Sequence, residues 1–399
     1  MLLPSLTHIL FGLAAVNALP QPQFEESAPE QIEPLPPTSE TQPPTDAAPA
    51  DSTAPPSSSG TTCNNSPDLC SRPYNQVTYL GAHNSAFLRD DSTDHTISGN
   101  HFFNATLALD AGLRLLQAQV HDRDGVLHLC HSSCSLLDAG PLVDWLTKIE
   151  AWIAGNLDEV VTILIVNAAG AEAADFASAW EGSGLAKFGY APPTTDAPLS
   201  QWPTLGSMIS DGKRLVSFIT QIDASPAAPY LLPEFNYVFE TAFEVTELTG
   251  FNCTIDRPSR AGEDGASAMA GGWLSLVNHF RYESVLGAFN FPAVESIATV
   301  NDPSTTTAGN LGLHLDQCST AWAGASGAQK PTFVLIDFWS ESDPIKAVDG
   351  MNGVSAAVGR SRENVEELGP EGARAGAGSV GDLGHAALLA FVASVMFLV

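Results

Sequence analysis

Basic side chains are scarce: 16 lysines and arginines stand against 45 aspartates and glutamates, a formal net charge of −29 over 399 residues. A surface this acidic repels nucleic acid and anionic lipid at long range, which argues against a DNA- or RNA-binding role. Apolar runs long enough to cross a bilayer, about 20 residues, are also missing. LPSLTHILFGLAAV near the start and AALLAFVASVMFLV at the end both fall short of that length. The first, followed by the small-residue site Val16-Asn17-Ala18, is expected to be a secretory signal over residues 1–18, although no Lys or Arg precedes it. The second follows the small, polar stretch GARAGAGSVGDLGH, so residues 381–399 are expected to be a GPI-attachment signal. The chain should then be extracellular and held at the plasma membrane or cell wall.

Cysteines are few, and their number is even. Six in a secreted chain imply up to three disulfides, with fifteen possible connectivities. Locality favours Cys63–Cys70 and Cys130–Cys134, which leaves Cys253–Cys318 as the long-range closure. Oxidation would remove the thiolates that a zinc site at Cys130-His131-Ser132-Ser133-Cys134 requires, so no metal is expected there. Sequons begin at Asn64, Asn104 and Asn252 and fit a glycosylated protein.

Large apolar groups are rare in residues 19–62, which are rich in Pro, Ser, Thr and Glu, and in the Gly-, Ala- and Glu-containing stretch 348–380. Such segments bury too little surface to offset their ordering entropy and are expected to be a stalk and a linker. Residues 63–347 form one block without an internal linker. Its strand candidates are 77–82, 113–120, 126–129, 160–166, 214–219, 237–240, 274–277 and 333–338, and its helical windows are 142–154, 171–181, 205–210 and 284–296. Strand–helix alternation of this length predicts an α/β fold, a (β/α)8-type barrel. Functional side chains in such barrels sit at strand C-termini. His83, Asn84, Gln119, His131, Asn167, Asn278 and Asp337 all fall at or just after a strand candidate. Two of them are histidines, the side chain best suited to give one proton acceptor and one donor near neutrality.

The segments YLGAHNSAF, GLRLLQAQVHDRDGVLHLCHSSC, EVVTILIVN and PTFVLIDFW resemble the phosphatidylinositol-specific phospholipase C X-domain superfamily, and within it the secreted fungal PLC-like phosphodiesterases. The resemblance implies an irregular TIM barrel with its site in the mouth and a phosphoinositide-type lipid as partner. It implies that His83 takes the proton of an inositol 2-hydroxyl, that Asp337 orients His83, and that His131 protonates the departing glycerol oxygen. Asn84 matches the asparagine after the first histidine of calcium-dependent members. Those members also carry carboxylates where this chain has Gln117 and Gln119, and metal-independent bacterial members place an arginine at the second position. Neutral amides supply oxygen without charge, so neither calcium nor any other cofactor is expected. Gln117, Gln119, Asn84 and Asn278 then become candidate substrate contacts through amide N–H groups, with Arg123 a conceivable substitute cation. Arg114 is expected to make a structural ion pair. Two competing readings are a catalytically weak barrel that binds head groups or glycans at the cell surface, and a glycosidase, which needs two flanking carboxylates.

Overall fold

A computed structural model describes residues 62–363 and 365, apart from 196, 286–288 and 325–328. The expected signal, nearly all of the stalk and the anchor signal lie outside the described residues. Twelve strands are described: β1 (Tyr79–Ala82), β2 (Leu115–Arg123), β3 (Val126–Cys130), β4 (Asp138–Pro141), β5 (Val161–Asn167), β6 (Leu215–Ile219), β7 (Leu231–Pro233), β8 (Val238–Glu240), β9 (Leu274–Asn278), β10 (Tyr282–Val285), β11 (Phe289–Pro292) and β12 (Phe333–Ile336). The helices are α1 (Ala105–Asp110), α2 (Leu142–Gly155), α3 (Ala173–Ser183), α4 (Leu205–Ser210), α5 (Gly265–Ala270), α6 (Ile297–Val300), α7 (Leu311–Ala321) and α8 (Ile345–Asn352).

Eight strands form one curled parallel sheet in the order β7-β6-β5-β2-β1-β12-β9-β8. β7 and β8 follow each other through one 3-10 turn, and among the described residues no ladder joins them, so the barrel has a seam there. The two-residue alternation of the strands explains both the core and the site. Tyr79, Leu115, Leu274, Leu276, Phe333 and Leu335 point into one apolar cluster inside the barrel. Their neighbours Leu80, Leu116, Val277, Val334 and Ile336 join a second cluster beneath the helices. Continuing each inward series by two residues toward the mouth gives His83, Gln117 and Gln119, Asn278, and Asp337. Gly81 fits this scheme for a steric reason: a Cβ there would lie 2.6 Å from the Leu115 side chain.

All eight strand candidates coincide with strands. One of them, β3, is not a barrel strand: it runs antiparallel to β2, as the hairpin partner of that strand's extended outer half. The window 284–296 is not helical. It holds the antiparallel pair β10–β11, with Tyr282 opposite Pro292, followed by a 3-10 turn at Val294–Ser296. The folded unit also continues past residue 347. α8 spans Ile345–Asn352, the Val358 backbone N–H donates to Asn65, and Arg360 makes two 2.7 Å hydrogen bonds to Asp349. The three disulfides are Cys63–Cys70, Cys130–Cys134 and Cys253–Cys318, the pairing that locality favours.

Candidate active site

β1 delivers His83 to the mouth. Its backbone N–H donates to Ile336 on β12 at 2.9 Å, and the next residue, Asn84, turns the chain with φ +52°. β12 ends in the same way, with Asp337 followed by Phe338 at φ +46°. These two sharp exits bring the side chains together: His83 Nδ1 lies 2.9 Å from Asp337 Oδ1. Both residues are buried, at 7% and 2% exposure. Asn100 Nδ2 donates to the same carboxylate oxygen at 2.9 Å, and Asn301 Nδ2 donates to the carbonyls of Asp337 and Phe338, each at 2.9 Å. The imidazole stacks face to face on Phe280, centroids 3.7 Å apart, and His101 Nε2 lies 2.6 Å from the His83 carbonyl oxygen. Because Nδ1–H donates to a carboxylate, the neutral ring keeps its lone pair on Nε2.

His131 arrives by a different route. β2 rises out of the barrel, β3 returns antiparallel to it, and His131 follows β3 back at the mouth. The Cys130–Cys134 disulfide closes the loop, the His131 N–H donates to Leu137 O at 2.9 Å, and the ring leans on Phe87 at 5.1 Å. Its Nδ1 is buried without a hydrogen-bond partner. Burial pushes its pKa down to about 4, and the neighbouring charge on His83 adds to that, against a smaller opposing pull from Asp337.

Gln117 and Gln119 act as pins for the two histidine loops. Gln117 Oε1 accepts the N–H of Asn84, the residue after His83, and Gln119 Oε1 accepts the N–H of Ser132, the residue after His131, at 2.8 Å. As neutral amides these side chains bring no charge to a divalent cation, and Asp337 is already shared between His83 and Asn100. These donors do not fit a calcium site. Among the described residues, the His/Cys/Asp groupings of metal-ligating geometry involve Cys253 and Cys318 or Cys130 and Cys134, which are oxidised to disulfides. Asn278 is placed at the mouth, but its Nδ2 donates to Glu240 (3.1 Å) and to the Thr241 carbonyl (2.8 Å), so only its oxygen remains for a ligand. Asn167 is likewise turned inward on its own chain, pairing both ways with the Ala171 backbone.

Neither arginine of the hairpin region faces the histidines. Arg123 pairs with Asp138, which also binds His128, and Arg114 makes the expected ion pair, with Glu159 at 2.7 Å. Glu240, one of the isolated acids a glycosidase could use, is buried against Arg257 at 2.9 Å. Asn100, His101, Phe280 and Asn301 support the site without a motif of their own. Arg89 is a further buried residue of the β1–α1 loop, with its N–H donating to His101 O at 2.7 Å. Burial lowers its guanidinium pKa, while Glu283 and Glu295 act in the opposite direction.

At the mouth of this parallel barrel stand one carboxylate-oriented imidazole and a second, buried one. A family model described as PI-PLC X 1 matches residues 69–352, so the chain belongs to the PI-PLC X family. A PI-PLC X domain-containing protein 1 of Arthroderma benhamiae is 36% identical over 297 residues, 73% of this chain and 90% of that protein. An uncharacterized secreted protein of the same fungus is 32% identical over 279 residues, and the match spans 70% of this chain and 60% of that protein. Among solved structures, phosphatidylinositol-specific phospholipase C from Listeria monocytogenes is similar over 71% of this chain and 95% of its own, with 13% identity and a TM-score of 0.44.

Proposed function

We propose that this protein is a phosphodiesterase of the phosphatidylinositol phospholipase C type, acting on an inositol phospholipid or a glycosyl-phosphatidylinositol head group without calcium. The reading rests on the 2.9 Å contact between His83 Nδ1 and Asp337 Oδ1, which leaves Nε2 as a proton acceptor. His83 Nε2 takes the proton of the inositol 2-hydroxyl as that oxygen attacks phosphorus. The P–O bond to glycerol breaks, and His131 gives a proton to the departing oxygen. Diacylglycerol and a cyclic inositol phosphate leave. His83 ends the step protonated and His131 neutral, and exchange with solvent restores both. With its pKa near 4, free His131 is neutral at pH 7, and the anionic diester favours its protonated form as substrate enters. The Nε2 donors of Gln117 and Gln119 and the side-chain amide of Asn84 are the groups assigned to the developing phosphoryl charge. Asn278 contributes an acceptor oxygen for an inositol hydroxyl. An extracellular location on a GPI anchor is part of this reading, supported by the small, polar stretch before the apolar residues 386–399.

One observation favours a second reading, a head-group-binding module with little turnover. Gln117 and Gln119 stand where a phosphate-neutralising charge would be, and their oxygens hold loops. Phosphorus NMR of phosphatidylinositol with metal-free protein separates the two. A cyclic phosphodiester signal that is insensitive to chelator is the expected result. Head-group binding with no new phosphorus signal would establish the module instead, and activity that a chelator removes and Ca²⁺ restores would overturn metal independence.

A further inference from the structure

The three sequons are not equivalent in the fold. Asn64 is buried at 5% exposure, and its amide is used in both directions: Nδ2 donates to Val160 O at 3.2 Å and Oδ1 accepts the Val160 N–H at 2.7 Å. A sugar on that nitrogen would remove a hydrogen bond to the β5 edge and place a polar ring in the core. Asn252 is exposed, beside the Cys253–Cys318 disulfide, in a local turn where its Oδ1 accepts the Thr254 N–H at 3.0 Å and its Nδ2 donates to Gly250 O at 3.2 Å.

Asn104 is different. It is exposed, and its Oδ1 caps α1 by accepting the Leu107 N–H at 3.1 Å and the Thr106 hydroxyl at 2.8 Å. The amide plane is thereby fixed, and among the described residues Nδ2 has no partner. Asn104 and Thr106 line a cavity of about 400 Å³ between the β1–α1 loop and α2, a volume suited to a sugar-sized ligand. Trp145, on the opposite wall, is 9% exposed, and its indole Nε1–H is buried with no acceptor. Buried donors in folded proteins nearly always have a partner, and Trp145, a residue that lines the cavity, carries one without it. Asp144 and Lys148 supply polar groups to the same wall.

We propose that Asn104 carries an N-linked glycan whose innermost N-acetylglucosamine occupies this cavity, its acetamido oxygen accepting the Trp145 indole N–H, and that Asn64 carries no glycan. Ser85, two residues beyond His83, forms part of the same cavity, and its hydroxyl donates to Gln117 O at 2.9 Å. The sugar therefore braces the loop that carries His83. This follows from the cavity and the sequon and stands whether or not the barrel turns over a phosphodiester.

The test is the full chain secreted from a yeast host. Glycopeptide mass spectrometry is expected to find Asn104 occupied and Asn64 empty. Thr106→Ala should remove one glycan, and Ser66→Ala should leave the glycan mass unchanged. In native protein, peptide-N-glycosidase should release the Asn104 glycan about tenfold more slowly than the Asn252 glycan, the order expected for a ring held by a buried hydrogen bond. Trp145→Phe, which keeps the aromatic wall, should close that gap, and denaturation should abolish it. A secreted protein with Asn104 bare or Asn64 glycosylated overturns the proposal, as does equal native release at Asn104 and Asn252.

Discussion

His83 and His131 sit in the same mouth but are held by different means. His83 has its ring nitrogen on Asp337, its face on Phe280 and its backbone carbonyl against His101. His131 has a disulfide-closed loop, two backbone hydrogen bonds within that loop and an orphan Nδ1. The contrast follows from the two tasks proposed for them. A base must present one defined lone pair before substrate arrives, and a carboxylate on the other nitrogen fixes that tautomer. An acid needs its proton only once an anion is bound. A carboxylate beside His131 would keep it charged in the empty site and would also repel the phosphodiester.

Replacing each histidine in turn tests this contrast most severely. His83→Ala should lower diester cleavage by about 10³-fold for every substrate, within the range typical of acid–base groups. His131→Ala should cost as much with an alkoxide leaving group but little with a nitrophenyl phosphodiester, whose leaving group needs no proton. Equal losses of His131→Ala activity on both substrates would break the distinction. Asp337→Asn comes next. It leaves the shape of the His83 corner but removes the negative charge that holds Nδ1–H in place and adds an NH2 that can compete for that position. The expected loss is about 10²-fold in kcat, the low end of the range for acid–base groups. Unchanged kcat would show that Asp337 serves only the loop.

The smallest effect is on stability. Burial pushes His101, His131 and His314 down to about 4 and His279 to about 3, against 6.5 when exposed. The unfolded chain therefore binds these protons first as pH falls, so stability is full above about 6.5 and is lost toward 4. The loss is on the order of several kcal/mol, since one unit on one group corresponds to about 1.4 kcal/mol. Tm followed from pH 7 to pH 4 should fall, and His131→Gln should flatten part of the slope. A Tm that stays level over this window would show that His131 is not buried as described.

The barrel was legible because strands covered on both faces must be nearly continuous apolar runs, and VTILIV and FVLI are short and rich in β-branched residues, as buried strands are. The interruptions were harder. β7 is three residues long and ends in Pro233, too short to show a period. The stretch 284–296 carries apolar residues at spacings compatible with a helix, and the cross-strand pairing of Tyr282 with Pro292 decided for a hairpin. In the site, His83, His131 and Asp337 stood out because each closes an apolar run in polar chemistry. Asn100 and Phe280 had no such signal. Each touches the His83–Asp337 pair only through the fold, and Asn100 is 237 residues from the carboxylate it holds. The pinning role of Gln117 and Gln119 was hidden for the same reason, since a glutamine's partner is a matter of geometry.

The seam between β7 and β8 bears on where the molecule can fray. Each of these short edge strands is laddered on one side only, so local opening begins there. β1 lies deep in the sheet order: an opening that starts at β8 must break three ladders to free it, and one that starts at β7 must break four. The strand that carries His83 and its neighbour β2, which carries Gln117 and Gln119, are thus the two best protected against partial unfolding from either edge. The protein can lose its seam and still keep its mouth assembled.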